Sequence, residues 1–154
     1  MNELSQILPD SLEVKSKQVA IEDILALENE ILKHPQVELP LTHDFINGIY
    51  ARSMFIPAGT VLTGAVHAFD CFSVMRYGDL IIYTEDGMRE VHAGDMIPSG
   101  AGIKRAGYAL TDTLITGFMA NPTNETDLDK LWEMYTKPNE TVLKHESTEL
   151  LEKH

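Results

Sequence analysis

A single cysteine, Cys71, in 154 residues rules out an internal disulfide, and such scarcity of thiols suits a reducing compartment. Basic residues are scarce too: 12 Lys and Arg stand against 24 Asp and Glu, for a net charge of −12. A surface of that sign repels phosphate backbones and anionic lipid, so neither nucleic acid nor a membrane is an expected partner. No run approaches the ~18 apolar residues of a membrane span. The opening, MNELSQILPDSLEV, has neither the basic start nor the apolar core of a secretory signal, which makes the expected location cytoplasmic. Repeats and low-complexity tracts are absent. What remains is 44% apolar and 23% charged, the profile of one globular domain with flanking segments.

The pattern divides into three parts. Residues 1–47 read as a polar arm (1–16), a helix over Val19–Lys33 and a linker from Gln36 to Asn47. The helix carries Ile21, Ile24, Leu25, Ile31 and Leu32 at helical spacing, with Leu27 beside them, and Pro35 stops it. Residues 48–120 are short β-prone runs broken by glycine. The expected strands are Ile49–Ile56, Thr60–Phe69, Phe72–Tyr77, Leu80–Thr84, Met88–His92, Asp95–Ile97, Ile103–Tyr108 and Thr113–Phe118. Glu85-Asp86-Gly87 has the chemistry of a tight hairpin turn. Eight closely spaced strands without intervening helix give an all-β barrel or sandwich. Residues 121–154 return to helix, capped by Thr126 and running from Asp127 to Tyr135 with Leu128, Leu131, Trp132 and Tyr135 as its apolar stripe. Asn139–His154 follows as a charged tail, either a short helix or a frayed end.

Two glycine-framed blocks in the barrel segment resemble the cupin superfamily. Its first block reads G, five residues, H-x-H, three or four residues, E, six residues, G. Its second reads G, five residues, P-x-G, two residues, H, three residues, N. Gly59 and Gly78 frame the first block here, and Gly94 and Gly102 fit the second. The resemblance implies a single jelly-roll barrel flanked by the N-terminal and C-terminal helices. It also implies that Ala65, His67, Cys71 and Arg105 stand where cupins hold a metal, while Gly100 and Ala109 replace the motif's proline and asparagine. A thiolate can bind zinc or iron, but a guanidinium has no lone pair to give. The stretches Ile56–Gly64, Thr84–Gly87, Lys104–Ala109 and Glu125–Leu131 further resemble short cupin-like proteins encoded by bacteriophages and their bacterial hosts. Members of that group mostly lack an assigned activity, and several carry histidine at the position of Cys71.

In such a barrel residues 65, 67 and 71 point inward and residue 105 faces them. His67, Cys71, Arg105 and, at the barrel mouth, Tyr108 are therefore the candidate ligand-binding residues. An inward Arg105 needs a partner, with Asp70, Glu90 or a bound anion expected; a strand rotated by one residue would turn Lys104 inward instead. Three functions stay open. The first is a non-catalytic scaffold acting through self-association as a homodimer, with helix Val19–Lys33 as a dimer element, and through a protein partner, as a virion component or an accessory factor in the host cytoplasm. The second is a binder of a small anionic ligand in the barrel. The third is a divergent metalloenzyme, in which His67 and Cys71 hold iron, nickel or zinc with a third ligand such as Asp70 or His92. No acid–base pair or nucleophile triad is legible, so the leading expectation is no catalysis and no cofactor.

Overall fold

A computed structural model describes residues 17–84 and 87–139. The arm before Lys17, the Glu85-Asp86 turn and the tail after Asn139 lie outside the described residues. In chain order the elements are α1 (Lys17–Ile31), β1 (Leu41–Ile46), β2 (Gly48–Ile56), β3 (Val61–Thr63), β4 (Val66–His67), β5 (Cys71–Tyr77) and β6 (Asp79–Thr84). They continue with β7 (Gly87–His92), β8 (Met96–Ser99), β9 (Ala106–Ala109), β10 (Thr113–Asn121), α2 (Leu128–Tyr135) and β11 (Thr136–Lys137). The strands form a five-stranded sheet in the order β1-β2-β10-β5-β8, a four-stranded sheet β3-β9-β6-β7, and a two-stranded pair β11-β4. Every pairing is antiparallel. No helix among the described residues is long and apolar enough to cross a membrane.

Side-chain alternation divides the strands between two cores. Met54, Ile56, Leu62, Met75, Leu80, Ile82, Val91, Ile97, Ala109 and Ile115 fill the space between the sheets. The opposite face of the four-stranded sheet presents Ile81, Tyr83, Ala106 and Tyr108 to Ile24 and Leu27 of α1. A 15-residue helix is marginal alone in water, so its packing holds it: Ile21, Ile24 and Leu27 are all at least 94% buried, each worth on the order of 2 kcal/mol. Gly78, at φ +90°, links β5 to β6, and a Cβ there would lie 2.3 Å from the Asp112 carbonyl oxygen. Only glycine fits.

Several expectations need correction. The linker 36–47 contains β1, which pairs with β2 from Leu41↔Met54 to Ile46↔Ile49. The expected strand Thr60–Phe69 breaks at Gly64–Ala65 into β3 and β4, which join different sheets. Residues 103–105 precede strand β9 rather than belonging to it. Asp127, not Thr126, caps α2, accepting hydrogen bonds from the Asp129 and Lys130 amides at 3.0 and 3.1 Å. Of its apolar stripe only Leu131 is buried. In α1 it is Leu27 that is buried, while Leu32 lies past the helix end and is exposed.

Lys104 is 96% buried. Its ammonium group meets Glu28 Oε2 at 2.7 Å and donates to the Gly64 carbonyl at 2.8 Å. Thr63 Oγ1 and Asn139 Nδ2 donate to the same carboxylate at 2.6 and 3.0 Å. Burial pushes the Glu28 carboxyl up, but the hydrogen bonds from Lys104, Thr63 and Asn139 outweigh it and hold the group below the usual glutamate range. The network pins α1 to the barrel. Truncating Lys104→Ala strands that carboxylate and is expected to cost about 3 kcal/mol in urea unfolding. Because Glu28 titrates lower folded than unfolded, its stabilisation is complete above pH 4.5 and is lost as pH falls through the folded value. The Lys104→Ala variant should accordingly show a shallower acid-side stability profile than the wild type.

Candidate functional site

The inner face of the five-stranded sheet is graded along its strands. One register row holds Met54, Ile115 and Met75 and belongs to the apolar core. The next carries His43, Arg52, Gly117, Ser73 and Ile97 side by side across β1, β2, β10, β5 and β8. The row beyond it brings Phe45 beside Tyr50, and Cys71 beside Ser99. Arg52, Gly117, Ser73, Cys71 and His67 are half-buried, so solvent partly reaches this polar end, although Tyr50 and Ser99 in the outermost row are buried.

Three of the four sequence-derived residues meet there. Cys71 Sγ lies 3.4 Å from His67 Nδ1. Arg105 points inward: Nη1 donates to Ser99 Oγ at 2.5 Å and Nη2 to the Pro98 carbonyl at 2.8 Å. Lys104, one residue earlier, turns the other way toward α1. Tyr108 is not brought to the group. It is 92% buried beneath α1 on the far face of its sheet, because its parity along β9 opposes that of Gly107 and Ala109.

Arg52 is a residue of this site that sequence reasoning missed. Its guanidinium stacks 5.8 Å from the Trp132 ring, and among the described residues no carboxylate pairs with it. A signal was available: Tyr50, Arg52, Met54 and Ile56 share one parity in an expected strand whose apolar members must face the core. Around the opening runs an aromatic series. Tyr50 stacks on Phe45 at 5.1 Å and His43 at 5.8 Å, and meets Tyr135 at 6.0 Å, which in turn contacts Phe69 edge-on at 6.4 Å. The Tyr50 hydroxyl and His43 Nδ1 share a hydrogen bond of 2.6 Å. β11 closes one side by pairing Thr136 with His67 and Lys137 with Val66. A separate pocket of about 640 Å³ lies against this corner, with Ala65, Lys104, Trp132 and Pro138 in its wall.

Electrostatically the site is cationic through arginine alone. Burial, then the nearby Arg105 and Arg52 charges, pulls the His67 imidazole below its usual range, so it is neutral at pH 7. Burial pushes the Cys71 thiol up; the Arg105 charge and a hydrogen bond with Ser99 pull against this without reversing it. The fold implies a metal at residues 65, 67, 71 and 105, and the side chains there do not fit one. Ala65 offers no donor, Arg105 offers a positive charge, and His67 with Cys71 supplies two ligands of the three or four needed. Asp70 is exposed and accepts from the Ala101 amide at 2.8 Å, while His92 pairs with Asp79 at 2.6 Å; neither joins the pair. Among the described residues no group of three His, Cys, Asp or Glu side chains is placed to hold an ion.

No family model and no curated protein matches this sequence. Solved structures do match in shape. A salicylate 1,2-dioxygenase from Pseudaminobacter salicylatoxidans aligns at TM-score 0.52 and 14% identity over 82% of this chain and 40% of its own. KdgF from a Halomonas species aligns at 0.50 and 16%, over 64% and 94%. A cupin superfamily protein from Desulfitobacterium hafniense aligns at 0.48 and 9%, over 56% and 81%. The fold is a cupin-type jelly-roll barrel with a helix on either side of it in the described chain.

The raised thiol and lowered imidazole make Cys71 a sluggish nucleophile near neutrality. Iodoacetamide should alkylate it more slowly than free cysteine at pH 7.5, with the rate climbing above pH 9. A rate at pH 7.5 faster than that of free cysteine would contradict this assignment of charges.

Proposed function

We propose that this chain is a non-catalytic binding protein whose barrel takes a small organic anion at its open, polar end. The observation that carries the reading is Arg52: a half-buried residue on the inner face of β2, its guanidinium over the Trp132 ring and its charge, like that of Arg105, felt at His67, with no carboxylate paired to it among the described residues. A charge withdrawn from water without a counter-charge is costly, and an anionic ligand removes that cost. Neutral His67 and the Cys71 thiol supply hydrogen-bonding edges to the same space. The net charge of −12 opposes anions at long range, so binding is expected to be local and selective. Titration calorimetry with acetate, benzoate and inorganic phosphate tests the reading. At least one should bind saturably and weaken by about 10-fold or more in Arg52→Ala, the loss of a charge-assisted hydrogen-bonded pair. Failure of all three to bind at millimolar concentration would remove it.

A second reading rests on a different surface. The outward face of the five-stranded sheet exposes Ile46, Ile49, Phe72, Met96 and Phe118, each with 43–71% of its surface in water. That is a broad apolar face for a chain of this charge, and it supports self-association as a homodimer, with a scaffold role such as that of a virion or host-cell accessory component. Light scattering at micromolar concentration should give twice the 17.2 kDa chain mass. Phe72→Glu combined with Phe118→Glu should return the monomer.

A further inference from the structure

Gly117 stands in the middle of β10, the central strand of the five-stranded sheet, between Arg52 on β2 and Ser73 on β5. Glycine in a strand interior weakens the strand and needs a reason. Two ordinary reasons fail here. Its backbone does not occupy the positive-φ region that forces glycine at Gly78. Nor is the space crowded: a Cβ at Gly117 would meet Ser73 Oγ at 3.6 Å and the Arg52 carbonyl oxygen and Met119 Cε at 4.0 Å, all ordinary contacts. A bulge is not the reason either, since the irregularity of β10 falls between Leu114 and Ile115 while Gly117 pairs in regular register with Arg52 and Ser73; close approach of a ligand to the backbone remains.

We propose that Gly117 is the floor of a carboxylate seat, with the Arg52 guanidinium on one side, the Ser73 hydroxyl on the other, and the body of the ligand directed toward His67 and Cys71. The inference deepens the anion-binding reading and rests on it. Three features favour a monoanionic carboxylate over phosphate. Arg52 presents a planar donor fork that matches two coplanar oxygens. Arg105 already spends Nη1 and Nη2 on Ser99 and Pro98, leaving few donors for a third or fourth oxygen. The net charge of −12 also penalises a dianion about twice as strongly as a monoanion.

The experiment is an acetate titration of ¹⁵N-labelled protein, repeated with inorganic phosphate, on the wild type and on Gly117→Val. In the wild type, acetate should shift the Gly117 and Ser73 amides saturably and bind more tightly than phosphate. Gly117→Val, whose branched side chain suits a strand and fills the seat, should melt no lower than the wild type and lose acetate affinity by 10-fold or more. Should that variant fail to fold, the wild-type shift map decides alone. Saturable acetate binding that depends on Arg52 but leaves Gly117 and Ser73 unshifted, or that survives in folded Gly117→Val, overturns the seat and leaves the anion reading standing. Tighter phosphate binding overturns the carboxylate assignment. A wild type that binds neither anion ends both.

Discussion

Lys104 and Arg105 are adjacent cations sent in opposite directions from the segment that leads into β9, and that division organises the molecule. Lys104 runs outward into a buried ion pair with Glu28 and fastens α1 over the four-stranded sheet. Arg105 runs inward and ties its guanidinium to Ser99 and Pro98 on β8 in the other sheet. One residue of slippage would exchange the two, placing a lysine in the barrel and leaving Glu28 unanswered. Register here is fixed by charge as well as by the apolar pattern. The desolvation cost of Lys104 is met by Glu28 and the Gly64 carbonyl, and Thr63 and Asn139 hold the Glu28 carboxylate in place, so three separate parts of the chain converge on Lys104.

Much of the scaffold could be read before the structure, and the failures share a cause. Glycine spacing and apolar alternation placed β2, β5, β6, β7 and β10 within a residue or two of their bounds, except that β10 runs on to Asn121. They did not reveal β1, because Leu41–Ile46 is an edge strand with one neighbour, and His43 and Asp44 dilute its alternation. Tyr108 was misplaced through parity: it lies on the face that α1 covers, which local sequence does not report. Trp132 and Leu128 were assigned to a packing stripe, yet Trp132 serves Arg52 instead. In the site, His67, Cys71 and Arg105 came from motif spacing; Arg52 lies outside the motif's ligand positions and was legible only through strand parity, and Ser73 and Gly117 needed cross-strand register to be seen beside it.

The chemistry of the interior follows from which charges were exchanged. A metal site gathers neutral and anionic donors around a cation. Here alanine and arginine stand at two of the four positions, and a second arginine enters from β2, so the protein itself supplies the positive charge. With His67 neutral and Cys71 protonated near pH 7, the charge at this end comes from the arginines, which is the basis of the proposed anion binding.

Strand β4 is two residues long, yet His67 is held from both directions. Its amide faces the Ile103 carbonyl, its carbonyl accepts from Gly102, and it pairs across to Thr136 of β11. The main chain at this point is therefore fixed by neighbours that do not depend on the imidazole. Side chains at the rim can be exchanged without rerouting the backbone, so the barrel can be retooled for new chemistry by point substitution.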